Sequence, residues 1–372
     1  MGFSSLTRAR VTRVQYYMAQ ILPPSTKMKP KQKIAKQLEI DVRELCQPSG
    51  RRVGEEGHQV AEQWVEKRLK EIGCIPYREN SFSLPYEVDE TRFKNFAGVI
   101  AGRDRSLPPV LIGAHYDSVI DAPCADDNGA SVAISLAVGL AIAEQGGLER
   151  DLIVAIFDAE EPPFFQSEAM GSIRFYEDQI DERGIHFAVI SDLVGHDVAF
   201  PSHLTRRIPA ANLITAPFAP LTFMTGAESH SDLPALLNEL KSPKGIKLIA
   251  TLNDYVGDMS DHGIFRKNNV PYVFLSCGRW EHYHQPTDTP DRLNYNKMAA
   301  ITEYSIDVCR AASAATFAEG LSSGDSVEFE KQTWKKAFGL MRRPLAKILG
   351  VSDFDSRANI DRAVAKLVSL GL

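Results

Sequence analysis

Residues 110–118 read Val-Leu-Ile-Gly-Ala-His-Tyr-Asp-Ser, and residues 152–161 read Leu-Ile-Val-Ala-Ile-Phe-Asp-Ala-Glu-Glu. Each is an apolar run of strand length that stops abruptly at ionisable side chains. The pattern recurs where Phe187-Ala-Val-Ile190 leads to Asp192, and where Tyr272-Val-Phe-Leu-Ser276 leads on to Tyr283-His284. Apolar runs without alternation mark strands covered on both faces. Between them lie helical stretches: the Ala-rich segment Gly129–Gln145, then Ser167–Gln179, Ser231–Leu240 and Tyr295–Phe317. Further strands are expected at Pro76–Leu84, Phe93–Ile100 and Lys247–Leu252. Strands alternating with helices predict an α/β domain with a largely parallel sheet covered on both sides. In such a sheet the carboxyl ends of the parallel strands converge on one crevice, where ligands bind.

Outward from this centre, Lys31–Gly73 reads as helical, with Val60, Trp64, Val65, Leu69 and Ile72 on one stripe. Residues 1–30 read as an N-terminal arm, 31–320 as the main domain, and Gly320–Gly324 as a linker. Residues 325–372 form a helical appendix. Its Phe329, Trp334, Phe338, Leu345 and Ile348 call for burial, expected on the chain's own domain and away from the crevice.

The chain has 372 residues, with 42 Lys+Arg against 48 Asp+Glu and a net charge of −6. Hydrophobic residues make up 44% and charged residues 24%, which excludes a mostly disordered chain. No positive excess exists to neutralise phosphates, so no nucleic-acid partner is expected. Val132–Ala143 is shorter than the roughly 20 residues a bilayer requires, so no membrane partner is expected either. The five cysteines are an odd number with no CxxC. With no apolar block of signal-peptide length near Met1, they suggest a cytoplasmic protein. Association into an oligomer is compatible with this composition.

A carboxylate delivered by an apolar strand is costly unless something pairs it. Four strand ends that each carry His, Asp or Glu therefore suggest one strongly cationic partner, and a metal centre supplies that. In His115-x-Asp117 the carboxylate can orient a metal-ligating imidazole, although a strand-end His satisfied by its neighbours has the same appearance. Asp126-Asp127-Asn128 can equally serve as turn and N-cap residues. The adjacent Glu160 and Glu161 repel one another until something positive intervenes; the competing reading is a solvated acidic turn before Pro162-Pro163. Asp192 and His284 read alone as loop residues. His282 reads as exposed, and His58, His186, His196, His203 and His230 as structural or exposed. Ser260-Asp261-His262 superficially suggests a nucleophilic triad, but adjacent residues cannot meet as nucleophile, base and orienter.

In order, GAHYDS (113–118), ADDNGAS (125–131), FDAEE (157–161) with MGSIRF (170–175), SDLVG (191–195), MSDHGIF (259–265) and YHQPTDTPDRL (283–293) resemble the co-catalytic zinc aminopeptidases of metallopeptidase family 28. With the preceding helix the resemblance covers roughly residues 50–318. It implies a three-layer α/β/α sandwich with a mixed, mainly parallel sheet, and makes 31–320 the zinc peptidase catalytic domain. It implies two Zn²⁺ per chain, held by His115, Asp127, Glu161, Asp192 and His284, with Asp127 bridging. Glu160 matches the general base, Asp117 the orienter of His115, and Tyr283 a hydroxyl that stabilises the tetrahedral intermediate. Asp261 falls on a loop at the site rim. Cys124 stands where the family has Gly. Two Zn²⁺ are close to balanced by three carboxylates and one hydroxide, as a partly buried centre requires.

The implied function is a zinc-dependent exopeptidase, an aminopeptidase acting on peptide or aminoacyl-amide substrates. Glutaminyl cyclases share the fold with a single zinc and resemble the chain at Asp127, Glu161 and His284, so a mono-zinc glutaminyl-peptide cyclotransferase is the alternative. Asn128-Gly129-Ala130-Ser131 and Tyr283, where the cyclases carry Trp, favour the peptidase. A metal-free binding relative is a third reading, and the complete ligand set with Glu160 argues against it.

Overall fold

The structure, a computed structural model, describes residues 29–78, 80–200, 215–317 and 325–370. The expected arm up to residue 28, the linker 320–324 and His203 lie outside them. The helical span expected over 31–73 is two helices, α1 (Pro30–Leu45) and α2 (Glu56–Glu71), separated by a turn that carries Arg51. Helix α2 buries Ala61, Val65 and Leu69, while Val60 is 51% exposed. The inner face is thus rotated from the expected stripe, with His58 and Ala61 taking the place assigned to Val60.

Strands β1 (Ile75–Pro76), β2 (Ser83–Val88), β3 (Thr91–Ile100) and β4 (Val110–His115) follow, then α3 (Ala130–Glu144) and β5 (Leu152–Phe157). Next come α4 (Gly171–Arg174), β6 (Phe187–Ser191), β7 (Leu221–Thr225), α5 (Leu233–Glu239), β8 (Lys247–Ala250), α6 (His262–Lys267) and β9 (Tyr272–Ser276). The chain continues through α7 (Tyr295–Ala314), α8 (Val327–Phe338), α9 (Arg342–Ile348) and α10 (Arg357–Ser369). The strands form one sheet in the order β1-β3-β5-β4-β6-β9-β7-β8, with β2 also paired to β3. The central four, β5-β4-β6-β9, are parallel. Strand β3 opposes β5, and β7 opposes β9, so the antiparallel pairings lie towards the two edges. Every residue of β4 and β5 is buried, as unalternating apolar strands require.

Alternation is still present, but between two cores rather than between core and water. Ile112, Ala114, Val154 and Ile156 join one hydrophobic cluster with α3. Leu111, Ile153, Ala155 and Phe157 join another with Phe265 of α6. Successive side chains of a strand point to opposite faces, so these two clusters are the two faces of the sheet. The result is the expected three-layer α/β/α sandwich. Helix α3, apolar all round, is buried between β4 and β5 on one side and α1 and α7 on the other. Strand β7 and helix α6 are additions to the expected elements. The helix expected over 167–179 is only α4 followed by a wider turn, Phe175–Gln179. Among the described residues no helix is long and apolar enough to cross a membrane, and all five cysteines are free and buried.

The segment 325–370 docks on this domain at the edge strand β8. Trp334 Nε1 donates to the Ala250 carbonyl at 3.2 Å, and Thr333 Oγ1 accepts from Ala250 N at 3.0 Å. These bonds occupy backbone groups at the end of an edge strand, a place otherwise open to pairing. Phe218, Trp334, Phe338 and Phe354 form an aromatic cluster. Fully buried Glu330 accepts from Arg357 Nη1 and Nη2 at 2.6 and 2.7 Å and from Ser326 Oγ at 2.6 Å, tying α10 to α8. Ile348, expected inside, is 44% exposed.

Trp334 is fully buried and bonded at its polar tip. Trp334→Ala should therefore cost ~3–5 kcal/mol through the cavity it leaves. Urea unfolding, followed by Phe and Tyr burial and by α10 proteolysis, checks this; a loss below ~1 kcal/mol would show the docking to be superficial.

Candidate active site

The ends of β4 and β5 are laced together by one carboxylate. Asp117 Oδ1 accepts from Glu160 N and Oδ2 from Glu161 N, both at 3.0 Å, and Oδ1 lies 3.2 Å from His115 Nδ1. Asp117 thus sets the imidazole with Nε2 pointing outward, and at the same time orients the backbone that presents both glutamates. Ala159, just before them, has φ 54°. This left-handed conformation is uncommon for a residue with a side chain, and it turns the chain so that successive glutamates face one crevice.

Asp127 comes from the turn before α3. Cys124, where the resembling family has Gly, has φ 42°. The cost of that backbone is offset by Arg51, which is fully buried. Its Nε donates to Tyr116 O at 2.6 Å, Nη1 to Pro123 O at 2.5 Å and Nη2 to Cys124 O at 3.0 Å. Asp288, from the loop that carries His284, accepts from Asp126 N at 2.9 Å and Asp127 N at 3.1 Å. Asp126 turns away from the crevice, accepting from Gly195 N at 2.6 Å and pairing with His196 Nδ1 at 2.6 Å. That bond anchors the segment after Asp192. Asp127, not Asp126, faces the crevice. Leu193 (φ 53°) and His284 (φ 56°) repeat the left-handed turn at the other two corners.

The five expected ligands converge. One ligand atom from each of His115, Asp127 and Asp192 lies within 4.8 Å of the others, and so it is for Asp127, Glu161 and His284. Both triads share Asp127. His115 Nε2 is 3.6 Å from Asp127 Oδ1 and 3.9 Å from Asp192 Oδ2. His284 Nε2 is 3.2 Å from Asp127 Oδ2 and 3.3 Å from Glu161 Oε2. None of these contacts has hydrogen-bond geometry for His115 Nε2, Asp127 Oδ2 or His284 Nε2. These three, with Glu161 Oε1 and Asp192 Oδ1, are buried polar atoms that lack a hydrogen-bond partner. Such atoms are rare in folded proteins, and here one comes from each of the five residues.

Electrostatics point the same way. Burial pushes the Glu160 carboxyl well above the ordinary carboxylate range; His115 opposes this, and Asp192, Asp261 and Glu161 add to it. Burial, reinforced by Asp127, raises Glu161 to about 8. Burial disfavours the charged form of His115, yet Glu160, Asp117 and Asp192 hold it well above the ordinary histidine value. His284 is likewise raised to about 9, burial being outweighed by Asp127 and Glu161. A crevice whose carboxylates resist ionising together is relieved by added positive charge. The donor set, carboxylate oxygens and imidazole nitrogens, suits a divalent cation of the zinc type.

A model of peptidase family M28 matches residues 95–309, more than half of the chain, from within β3 to within α7. The chain belongs to peptidase family M28. Among curated proteins, the M28 chain is 28% identical over 211 residues to the uncharacterised protein YfbL of Escherichia coli K12, a match covering 53% of this chain and 64% of that one. It therefore spans less than two thirds of that relative. Among solved structures it is similar to the Legionella pneumophila LapA aminopeptidase, with 14% identity, TM-score 0.58, and 85% and 79% of the two chains covered. A leucine aminopeptidase precursor from Bacteroides thetaiotaomicron gives 15% identity, TM-score 0.55 and 74% and 96% coverage. A glutaminyl cyclase from the same organism gives 15%, 0.52 and 74% and 97%. At these identities the solved structures attest the fold.

Several groups that shape the M28 site carried no separate signal in the sequence. Arg51 and Asp288 lie far from Asp127 along the chain. His58, grouped above with the structural histidines, bonds Asp158 Oδ1 at 2.8 Å and stacks on Tyr116. His282 is not exposed as expected: its ring packs edge-on to Trp280 and bonds Thr287. Asp261 is fully buried, and its carboxyl, raised by burial to about 7, adds to the negative field at Glu160. His262 bonds Asn253 Oδ1 and the Gly257 carbonyl, both at 3.0 Å, and stacks on Phe274, so it does not serve Ser260.

The carboxylates open into a cavity of about 580 Å³. Tyr283 lines it, with its ring stacked on His284 at 3.7 Å between centroids. Burial raises the Tyr283 phenol, so it stays a proton donor at neutral pH. Val364, Leu367 and Val368 of α10 line the same cavity. This corrects the expectation that the appendix docks away from the crevice: the edge strand on which it seats runs beside β7, and α10 then overhangs the site.

Asp288→Asn keeps the shape but places an amide before two backbone N–H groups. It should weaken zinc retention ~10–100-fold, as outer partners of ligands do, with little loss of helix content. Competition against a chromogenic chelator reads this directly; unchanged retention would remove Asp288 from the support of Asp127.

Proposed function

We propose that this M28 chain is a zinc-dependent exopeptidase, an aminopeptidase that hydrolyses N-terminal residues from peptides or aminoacyl amides. The observation that carries the reading is the pair of triads sharing Asp127. His115, Asp127 and Asp192 would hold one zinc, and Asp127, Glu161 and His284 a second. Zinc bound there would polarise a scissile carbonyl and make water a nucleophile at neutral pH. Glu160 stands beside this cluster, 3.6 Å from His115 Nε2, without belonging to either triad. Placed next to Glu161 yet outside both triads, its carboxylate is free to take a proton from the attacking water and return it to the leaving amine. Asp117 holds Glu160 through the backbone amide and His115 through the ring, so base and ligand keep one spacing. Tyr283, protonated and facing the cavity, can donate to the oxyanion.

Cyclotransferase chemistry with one zinc would use Asp127, Glu161 and His284 alone. It would leave His115 Nε2 and Asp192 Oδ1 buried without partners, a cost that the two-metal reading removes. A metal-free binding role would leave all five atoms so.

Glu160→Gln should keep its zinc and lose at least ~10²-fold in turnover on aminoacyl amides. Near-normal turnover in a zinc-loaded Gln variant would exclude Glu160 as the base. Metal analysis of the purified chain should give about two zinc ions per chain alongside amide hydrolysis. One zinc with cyclisation of glutaminyl peptides would establish the alternative instead.

A further inference from the structure

The cavity that begins at the carboxylates ends at the appendix. Beyond Asp127, Glu160, Glu161, Asp192 and His284, Arg279 is the one charged side chain among the described residues that line it. Arg279 is engaged at the rim, over the Tyr283 ring at 5.0 Å. The rest of the lining is mostly apolar, with a few uncharged hydroxyl side chains between: Phe223, Val256 and Phe274 come from the main domain, and Val364, Leu367 and Val368 from α10. Positions 364, 367 and 368 fall on one helical face, three and four residues apart. Val364 and Leu367 are buried, whereas Val368 is 52% exposed. A valine half in water on the wall of a reaction cavity gains from being covered by an apolar ligand group.

The wall is held in place. Besides the Arg357–Glu330 pair, Asp361 accepts from the Tyr255 hydroxyl, and Tyr255 itself lines the cavity. Helix α10 is thus pinned at its first turn to α8 and at its second to the cavity rim. The family match ends at residue 309, so this wall is built by sequence outside the matched span.

We infer that α10 forms one side of the pocket for the substrate's N-terminal side chain, and that Val364, Leu367 and Val368 select a bulky apolar residue there. The inference rests on the metal-dependent reading of the site given above. A volume of about 580 Å³ falls in the range of small-ligand sites. It accommodates a large aliphatic or aromatic side chain together with the scissile amide. A charged side chain held against this apolar face would lose its hydration, and Arg279 is the one cation in the described lining that could pair with an acidic one.

The test uses the full zinc-loaded chain and straight-chain alkyl hydroxamates, from acetohydroxamate to hexanohydroxamate. The hydroxamate head chelates metal whatever reaction the site performs, and the alkyl tail probes the wall. Zinc per chain is measured first. By calorimetry, Kd should fall about fourfold for each methylene that becomes buried, and at least tenfold over the series. Val368→Asp should compress that gain to under threefold with zinc content and melting temperature unchanged. Leu340→Asp, on the exposed bend before α9, should leave the series as in the parent. Val368→Trp should cut the gain for the longest tail most, by filling the space. A flat series in the parent, or a gain untouched by both Val368 variants, would overturn the inference. A chain that holds zinc and keeps the gain but hydrolyses no aminoacyl amide would count against the peptidase reading and support the wall. A chain that binds no zinc would overturn the metal reading and the inference with it.

Discussion

Five carboxylates, Asp127, Glu160, Glu161, Asp192 and Asp261, lie buried around one crevice with the imidazoles of His115 and His284 facing them. Their mutual repulsion is the constraint on which the rest of the structure depends. Such a cluster survives folding only if the backbone that carries it is held from behind. Asp117 does this for β4 and β5 by accepting two amides and a ring N–H. Asp288 does it for the turn bearing Asp127, and Asp126 with His196 for the turn bearing Asp192. Each uses a buried acceptor against backbone donors, the kind of bond that is costly to leave unmade. The left-handed residues Cys124, Ala159, Leu193 and His284 all sit at these same corners. Strain collected at one place, with a fully buried Arg51 capping the carbonyls around it, is the pattern expected where side chains are aimed for chemistry.

The parallel centre of the sheet makes the convergence possible. β4, β5 and β6 run alongside in the same direction, so their last residues end at one level and within one ligand's reach. The antiparallel neighbours on either side contribute none of the convergent side chains. They instead widen the sheet, and β7 and β9 floor the apolar part of the cavity through Phe223 and Phe274. The edge this creates at β8 must be covered, and Trp334 and Thr333 cover it. Seating α8 there brings α10 over the crevice. Protection of a sheet edge and construction of a cavity wall are therefore two consequences of one docking event.

Most of the strand and helix order, the parallel centre and the identity of the convergent residues were legible in the chain itself. Unalternating apolar runs such as 110–114 and 152–157 announce strands covered on both faces. Ionisable residues at their ends must meet at one edge, because parallel strands share a direction. His115, Asp117, Glu160, Glu161, Asp192 and His284 could be placed together by this argument, and family resemblance separated Asp127 from Asp126. What was not legible depends on contacts between segments far apart in sequence. Strand β7 sits in a Pro-containing stretch and is fixed by pairing with β8 and β9, not by its own pattern. The rotation of α2 that exposes Val60 follows from packing against the sheet. Arg51 and Asp288 are ordinary polar residues until the fold brings them behind the turn at 124–127, across more than 70 and 160 positions respectively. The place of α10 was the plainest case. Its apolar face shows that it must bury something, but a helix face carries no address. Only the exposed edge of β8, and the depth of the cavity beside it, decided that the covered surface would be the wall of the site.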